Sequence, residues 1–329
     1  HAHAYIEYID TDAAYEVPGV EFIITHENCP DVYFTTAGQG FPEPSPHDRK
    51  MFGRKLRHVG DRVAAVIAQS PEAADKAIKK LKIEYEVLKP VFTIEDAQKE
   101  DAPILHGGEI SFLDGKPFYT NDQKKEAKAT EDEISKAQAH KEGKIIYPFG
   151  IGADPYKNIA SSVTNGIGDT KKGFDEADVI IEREYSTAQV HCTPCENHTV
   201  YTRMEGERLI IHASTQVPWH LRRNIATILG ISENKVRVIK ERVGGGYGSK
   251  QDILLEEVCA FATWQTGSPV FYQYSREDEF IATSTRHPMD ITVKLGAKKD
   301  GTITAIHMDV KANTGPYGNH CLTVPMNAC

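Results

Sequence analysis

Residues 235–267, KVRVIKERVGGGYGSKQDILLEEVCAFATWQTG, decide the fold class of this chain. The β-branched run KVRVIKERV predicts a strand that leads into four glycines within the five positions 244–248. After them, residues 252–267 space their apolar side chains as one face of a helix that ends at Gly267, with Asp252 as N-cap or first turn. That face consists of Leu254, Leu255, Val258, Phe261 and Ala262. The stretch therefore predicts a strand, a glycine loop and a helix N-terminus in direct succession.

The glycine loop has two physical interpretations. Successive glycines permit positive φ and close approach to the backbone, and the N–H groups of a first helical turn can bind an anion or an oxo group. The loop is therefore either a site for a polar cofactor or a tight turn against a neighbouring strand. Two nucleotide motifs are excluded, because the separation of Gly248 from Lys250 breaks the Walker pattern and the glycine spacing breaks the dinucleotide fingerprint.

Strand and helix patterns continue on both sides of the loop. Leu221, Ile225 and Leu229 repeat every four residues and predict a helix that ends at Gly230. Strands are predicted by the remaining apolar runs, at 177–187, 208–215, 269–275 and in a hairpin over 291–313 that turns at Lys299-Asp300-Gly301. We assign residues 166–329 to one incomplete α+β domain.

The first hundred residues carry a second α+β pattern. Strands are predicted at Val20–Thr25, within the apolar run Val63–Ala68 and at Ile83–Val87. A helix is predicted between the last two, because Ser70 is a favourable N-cap and Pro71 suits a first helical turn. We assign residues 1–105 to this domain.

Residues 106–165 are predicted to form a linker with a charged insertion. Between Asp114 and Lys144 the sequence is rich in lysine and glutamate, which predicts an exposed segment that contributes little to the core, with a helix near 123–141. The chain has no initiator Met and stops just after a strand pattern. We therefore expect a piece of a longer protein.

Composition narrows the possible partners. The formal net charge of −9 and the lack of a clustered basic stretch argue against nucleic acid. No apolar run approaches the roughly 20 residues that cross a bilayer, and the first residues do not resemble a signal peptide. Six cysteines in 329 residues are too few for a disulfide scaffold. These features favour a cytoplasmic protein with reduced thiols, whose partners are small molecules or other proteins.

Several ordered segments resemble one known family. The segments STQVP (214–218), the glycine loop, SREDEFIATSTRHPM (275–289) and DGTITAIHMDVKANTGPYGNH (300–320) are similar, in order and spacing, to the molybdopterin-binding subunit of the molybdenum hydroxylases, and most similar to bacterial xanthine dehydrogenases. Residues 58–88 resemble the α/β hammerhead domain of the same proteins. The resemblance covers most of the chain outside about 110–160. It implies an α+β fold in which a hammerhead domain precedes part of a molybdenum-cofactor-binding domain.

The resemblance also implies which residues bind the cofactor. In the family the glycine loop lies beside the molybdenum and its oxo ligand, so Gly245, Gly246, Tyr247 and Gly248 would contact this centre. A Gln that precedes a Glu would lie near an oxo ligand, and Gln189 and Glu196 match them with a spacing one residue longer than usual. No side chain of the chain is expected to ligate the metal directly.

One position bears on the substrate. Where animal xanthine oxidoreductases carry a Glu that contacts the purine, this chain has Gln251. An amide both donates and accepts hydrogen bonds and does not titrate, so purine binding remains compatible with this residue.

The activity implied by the resemblance is hydroxylation of an electron-poor heterocycle, such as xanthine or hypoxanthine, with oxygen from water. Molybdenum-molybdopterin, in its simple or cytosine dinucleotide form, would be the cofactor, and electrons would leave to iron–sulfur and FAD partners, for which this chain has no motif. The general-base Glu would lie beyond Cys329, so the chain alone is expected to be inactive. Two alternatives stay open: a non-catalytic homologue or assembly module, and an aldehyde oxidoreductase of the same family.

The segment AQVHCTPCENH (188–198) also has a rival interpretation. Its His191, Cys192, Cys195 and His198 are ligand types that suit Zn²⁺. Structural zinc sites usually place their second ligand pair far away in sequence, and neighbouring His191 and Cys192 face one ion poorly. Buried thiols and hydrogen-bonded imidazoles are therefore the favoured interpretation of this segment.

Overall fold

The computed structural model describes residues 1–38, 40–116, 136–137 and 142–327. The helix predicted near 123–141 lies almost entirely outside these residues. The chain combines helices with sheets whose strands pair mostly in the antiparallel direction, which is an α+β fold as predicted. None of the described helices is long and apolar enough to cross a membrane.

The N-terminal part contains two small antiparallel sheets. Its elements in chain order are β1 (Ala4–Asp10), α1 (Asp12–Tyr15), β2 (Val20–Ile24), β3 (Lys55–Leu56), β4 (Ala65–Ala68), α2 (Pro71–Ile78), β5 (Lys82–Val87) and α3 (Ile94–Ala97). Strand β1 lies between β3 and β5, and β2 pairs with β4. The Ser70 hydroxyl accepts the N–H of Ala73 at 3.2 Å and caps α2. The predicted strands and the predicted helix of this region are confirmed.

A short parallel pair follows in the middle of the chain. It consists of β6 (Glu109–Phe112) and β7 (Lys144–Tyr147), with a 3₁₀ turn at Pro155–Lys157. The prediction that residues 114–144 contribute little to the core is wrong at Glu142. This residue is buried and its carboxylate contacts Lys55 Nζ at 3.4 Å and Arg57 Nη2 at 3.0 Å. The charged composition of the segment predicts a solvated Glu142, whereas Lys55 and Arg57 compensate its charge inside the protein.

The C-terminal part contains most of the secondary structure. Its elements are α4 (Thr170–Asp175), β8 (Val179–Thr187), β9 (Val190–His191), β10 (Thr199–Glu205), β11 (Arg208–Ala213), α5 (Pro218–Leu229), β12 (Val236–Ile239), α6 (Glu256–Thr266), β13 (Val270–Gln273), α7 (Arg276–Ala282), β14 (Thr285–Arg286), β15 (Met289–Ala297), β16 (Ile303–Ala312) and α8 (Thr323–Met326), with 3₁₀ turns at Glu233–Lys235 and Ser249–Gln251.

Helices α5 and α6 pack on a four-stranded sheet of order β12-β11-β10-β13 and form the largest core among the described residues. Both helices end where predicted, since Gly230 and Gly267 adopt the left-handed conformation at their C-termini. The core residues are apolar side chains of sheet and helices, including Val200, Leu209, Ile211, Leu221, Ile225, Leu254, Leu255 and Ala260. The glycine loop therefore leaves one edge strand of a well-packed layer and returns to its central helix.

The connection through the glycine loop differs from the prediction at both ends. Strand β12 ends at Ile239, five residues before the first glycine, Gly244, and α6 begins at Glu256 instead of near Asp252. The Asp252 carboxylate is buried and accepts hydrogen bonds from Ser284 and from Asn319 Nδ2, so it does not cap the helix. The carboxylate of Glu256 instead accepts the N–H groups of the two preceding residues, at 3.0 and 3.1 Å.

Strands β16, β15 and β8 form a separate antiparallel sheet with unequal faces. One face carries charged and hydroxyl side chains and packs on α4, where Phe174 contacts the ammonium of Lys294. The other face is mostly apolar, interrupted by Arg183 opposite Val293, and its apolar side chains are Val179, Ile181, Tyr185, Met289, Ile291, Val293, Leu295, Ile306, Met308 and Val310. None of these side chains is fully buried, and Ile181 is 47% exposed. Among the described helices, α4 and α8 contact this sheet, and they leave these apolar side chains partly or fully exposed.

The N-terminal and C-terminal parts are in direct contact. Ile253 donates its N–H to the Thr36 carbonyl at 3.2 Å, and Arg62 contacts the buried Glu257 carboxylate at 2.6 Å. Further along the chain, the Tyr317 hydroxyl donates to the Asp61 carboxylate at 2.9 Å. The residues just after the glycine loop are thus fixed against the N-terminal part.

Candidate functional site

The glycine loop has an unusual backbone conformation. Gly245 and Gly248 have φ of +100° and +97°, and Tyr247 between them has φ of +55°. A positive φ is uncommon for residues other than glycine and is a feature of strained or functional loops. The Tyr247 side chain is 76% exposed, so burial of its ring does not account for this conformation.

Two side chains of the chain itself explain why bulkier residues do not fit in the loop. A Cβ on Gly244 would lie 2.6 Å from Cβ of Glu196, and a Cβ on Gly246 would lie 2.5 Å from Oε1 of Gln216. Both distances are shorter than real Cβ contacts. At Gly244 and Gly246, the groups that approach the backbone closely are therefore side chains of this chain itself, Glu196 and Gln216.

The same two side chains hold the loop by hydrogen bonds. Glu196 Oε2 accepts the N–H of Gly244 at 2.8 Å and the ammonium of Lys250 at 2.7 Å, while Gln216 Oε1 accepts the N–H of Gly248 at 3.0 Å. Burial alone would raise the pKa of Glu196, but the bonds from Lys250 and Gly244 lower it overall. Gln216 and Lys250 are functional residues that the sequence does not predict, although Gln216 lies in the STQVP segment that resembles the family.

Between these fixed points the loop presents three backbone donors. In the part of the chain that the structure describes, the N–H groups of Gly245, Gly246 and Tyr247 have no hydrogen-bond acceptor. Successive N–H groups in a loop with alternating backbone handedness form concave sites for anionic or oxo oxygen atoms. The donors belong to the loop itself and not to a helix N-terminus, which corrects the predicted source of the N–H groups.

The segment that contains Gln189 runs beside the loop. The Cys192 thiol lies 3.8 Å from the Tyr247 carbonyl oxygen, and the Arg276 guanidinium donates to the carbonyls of Pro194 and Cys195 at 2.7 and 2.9 Å. Gln189 is exposed at the start of this segment, and its amide donates to Thr285 Oγ1 at 3.0 Å. The structure thus brings residues 192–196 to the glycine loop, while the Gln189 side chain contacts β14.

The side chains of the rival zinc interpretation have other partners. His191 Nε2 lies 2.8 Å from Thr283 Oγ1, and His198 Nδ1 lies 2.8 Å from the buried Glu279 carboxylate. Among the described residues, no group of three or more His, Cys, Asp and Glu could hold a metal ion. The described cysteines, Cys29, Cys192, Cys195, Cys259 and Cys321, are all unpaired.

Gln251 lies at the end of the 3₁₀ turn that closes the loop. Its N–H donates to the Gly248 carbonyl at 3.1 Å, and the side chain is half-buried. Its own carbonyl oxygen would lie 2.7 Å from a Cβ on Gly38, so the N-terminal part approaches closely at this point. Gln251 is thereby placed between the glycine loop and the buried Asp252.

Comparison with known proteins identifies the family and agrees with the fold. A family described as the molybdopterin cofactor-binding domain matches residues 153–329, and the a/b hammerhead domain of aldehyde oxidase and xanthine dehydrogenase matches residues 1–89. The chain belongs to this molybdopterin-binding family. It is made of a hammerhead domain followed by part of a molybdopterin cofactor-binding domain.

Individual relatives point the same way. The chain is 57% identical over 327 residues to the protein named "Probable hypoxanthine oxidase XdhD" of Escherichia coli, covering 99% of this chain and 33% of that protein. It is 29% identical to the xanthine dehydrogenase/oxidase of Mus musculus, covering 95% of this chain and 19% of that protein. The structure of the aldehyde oxidoreductase from Desulfovibrio gigas superposes with a TM-score of 0.69 at 25% identity, covering 94% of this chain and 30% of that one. The chain thus spans about a third or less of these relatives.

Proposed function

We propose that this chain is the cofactor-binding part of a molybdenum hydroxylase that oxidises a purine, such as hypoxanthine or xanthine, or a related N-heterocycle. The observation that carries the proposal is the set of three adjacent N–H groups at Gly245, Gly246 and Tyr247, held open by bonds on either side. Neutral donors of this kind suit the oxo oxygen of a molybdenum centre. The name of the E. coli relative supports the choice of a purine.

The residues present fit such a cofactor. Gly245, Gly246 and Tyr247 would hold it through their N–H groups, Gly248 would shape the turn by its positive φ, and no side chain would ligate the metal. Gln189 would contribute its amide on release of the bond that it donates to Thr285. When bound, the molybdenum-molybdopterin group, in its simple or cytosine dinucleotide form, supplies two-electron oxidation with water as the oxygen source. Glu196 and Gln216 would keep the loop backbone in place during the reaction.

Gln251 is our candidate for contact with the substrate. Its amide can donate to a ring nitrogen or accept from a ring N–H, and it cannot take up a proton in the working pH range. The adjacent Asp252 fixes its backbone through the buried bonds from Ser284 and Asn319.

The remaining parts of the reaction would lie outside these 329 residues. A general-base Glu, the rest of the molybdenum domain, iron–sulfur clusters and FAD would be supplied by further domains or subunits, consistent with the share of its relatives that the chain spans. Within the chain we propose a hammerhead domain at 1–105, a linker at 106–165 and the cofactor domain at 166–329, in a cytoplasmic protein.

Metal analysis of the complex purified from its native host tests the proposal, together with hypoxanthine- and xanthine-dependent dye reduction. We expect stoichiometric molybdenum and turnover of a purine. If the complex contains molybdenum but does not oxidise a purine, its substrate would instead be another heterocycle, or an aldehyde as the name of the Desulfovibrio gigas enzyme indicates. A well-folded complex without molybdenum would refute the proposal and leave a non-catalytic assembly module.

A further inference from the structure

A buried carboxylate lies behind the glycine loop and binds a single histidine. Glu279, on α7, is fully buried, and its two oxygens both face His198. Oε2 accepts the His198 backbone N–H at 2.8 Å, and Oε1 lies 2.8 Å from Nδ1 of the same residue. The position and ring orientation of His198 are therefore fixed by one carboxylate.

The second ring nitrogen of His198 faces the glycine loop. Nε2 lies 3.3 Å from the carbonyl oxygen of Ser249, which is also an acceptor. A neutral imidazole has one N–H and one lone pair, so it can donate toward only one of these two acceptors. Both contacts can be hydrogen bonds at the same time only if both ring nitrogens of His198 carry protons.

The surrounding groups are consistent with a His198–Glu279 ion pair. Burial would raise the pKa of Glu279, but the bonds and charge of His198 lower it overall, so the carboxylate stays ionised. Burial raises the pKa of the nearby Glu256, and the adjacent Glu257 raises it further. Burial likewise raises the pKa of Tyr274, whose ring lies 6.2 Å from that of His198. Glu279 is therefore the ionised group in contact with the imidazole.

Ser249 transmits this constraint to the loop. Its N–H and its hydroxyl both donate to the Gly246 carbonyl, at 2.9 and 2.8 Å. Fixing the Ser249 carbonyl therefore fixes the turn from Gly246 to Ser249, which includes the N–H of Tyr247. The anchors described above hold N–H groups at the two ends of the loop, whereas this one holds a carbonyl.

We infer that His198 is a positioning residue for the proposed molybdenum site: as an imidazolium held by Glu279, it fixes Ser249 and with it the orientation of the loop N–H donors. This inference rests on the proposed function for its purpose, although the ion pair itself does not depend on a bound cofactor. The two can therefore be tested separately.

The ion pair is tested by ¹⁵N NMR of ring-labelled histidine in the full chain at neutral pH. We expect two protonated ring nitrogens for His198, assigned by comparison with His198→Gln. One protonated and one bare nitrogen would overturn the inference.

The positioning role is tested by hydrogen exchange and by molybdenum content, in the chain and in the complex from its native host. In His198→Gln and Glu279→Gln we expect the amides of Gly248 and Ser249 to exchange about tenfold faster, as loss of a charge-assisted hydrogen bond permits. The matched control is His212→Gln, because His212 on β11 also lies beside a glutamate, Glu241, at 3.6 Å, but this pair is partly exposed to solvent. Unchanged exchange in both His198 and Glu279 variants would overturn the positioning role.

The cofactor readout separates positioning from general stability. We expect the purified complex of His198→Gln to contain less molybdenum than that of a control variant with the same melting temperature. Loss of molybdenum only in proportion to unfolding would overturn the positioning role. Absence of molybdenum from the unmodified complex would refute the proposed function and leave the NMR and exchange results to decide on the ion pair.

Discussion

The ammonium of Lys250 lies 2.7 Å from the carboxylate of Glu196, and the two side chains differ sharply in burial. The Lys250 side chain is completely buried, whereas that of Glu196 is 32% exposed. Removing Glu196 therefore leaves a buried charge without its partner, while removing Lys250 leaves a carboxylate that water can reach.

This asymmetry predicts unequal effects of two single substitutions. We expect Glu196→Gln to lower the free energy of unfolding by about 3 kcal/mol and Lys250→Met by about 1 kcal/mol. Urea unfolding of each variant and of the double variant measures these values. The double variant should be more stable than Glu196→Gln alone, and equal effects of the two single substitutions would contradict the argument.

The space around the loop gives a second prediction, for Gly246→Ala. Its Cβ would displace the Gln216 side chain and break the bond to Gly248, so we expect a loss of about 1–3 kcal/mol in stability, as for overpacking. Gly166→Ala is the control, because a Cβ there meets nothing within 4 Å. Thermal unfolding of both variants measures the difference. Equal melting temperatures of Gly246→Ala and Gly166→Ala would contradict the prediction.

The buried carboxyl of Asp48 gives a pH dependence. Burial raises its pKa to about 7, although the N–H of Gly318 and the nearby Arg57 and Arg49 act in the opposite direction. The folded protein then binds a proton at Asp48 that the unfolded chain has released above about pH 4. This contribution to stability is present at low pH and is lost as the pH rises toward 7.

Asp48→Asn tests that sign. The variant keeps an oxygen that can accept the Gly318 N–H, but it has no proton to lose. Between pH 5 and 8 we expect the unfolding free energy of the unmodified chain to fall relative to that of Asp48→Asn, as measured by urea unfolding at several pH values. Parallel pH profiles would show that Asp48 does not titrate in this range.

The partly exposed apolar face of the β16-β15-β8 sheet predicts how the isolated 329 residues behave. An apolar patch of this kind promotes association and binding of apolar dyes. We expect Ile181→Lys and Val293→Lys to reduce both dye binding and oligomer size, as measured by fluorescence and light scattering. Thr292→Lys, on the opposite face of the same strand as Val293, should leave both unchanged.

Gln251 gives a prediction specific to the substrate. In the complex, Gln251→Ala should raise the KM for a purine about fivefold to tenfold, the loss of about one neutral hydrogen bond, without changing the molybdenum content. Steady-state kinetics beside metal analysis measure both. An unchanged KM would remove Gln251 from the substrate site.

Local signals in the sequence predicted most of the elements. The N-cap Ser70, the terminal Gly230 and Gly267 and the hairpin at Asp300-Gly301 each specify a boundary through the backbone of neighbouring residues. The resemblance then supplied the order of the two domains, which no periodicity could have given.

The wrong predictions have a different cause: they concern residues whose partners lie far away in the chain. Asp252 was expected to cap a helix, but Ser284 and Asn319 bind its carboxylate. Glu142 was assigned to a solvated segment, but Lys55 and Arg57 are buried beside it. The sequence between such partners contains no local signal of their meeting.

The bond between Tyr317 and Asp61 spans 256 residues of the chain. At a synthesis rate of about 5–20 residues per second, the ribosome needs roughly 13 to 51 seconds to make the intervening polypeptide. Throughout that interval Asp61 and the guanidinium groups of Arg49 and Arg57, which lie over the Tyr317 ring in the finished protein, lack one wall of their enclosure. The enclosure around Asp61 is therefore completed only after Tyr317 has been synthesised.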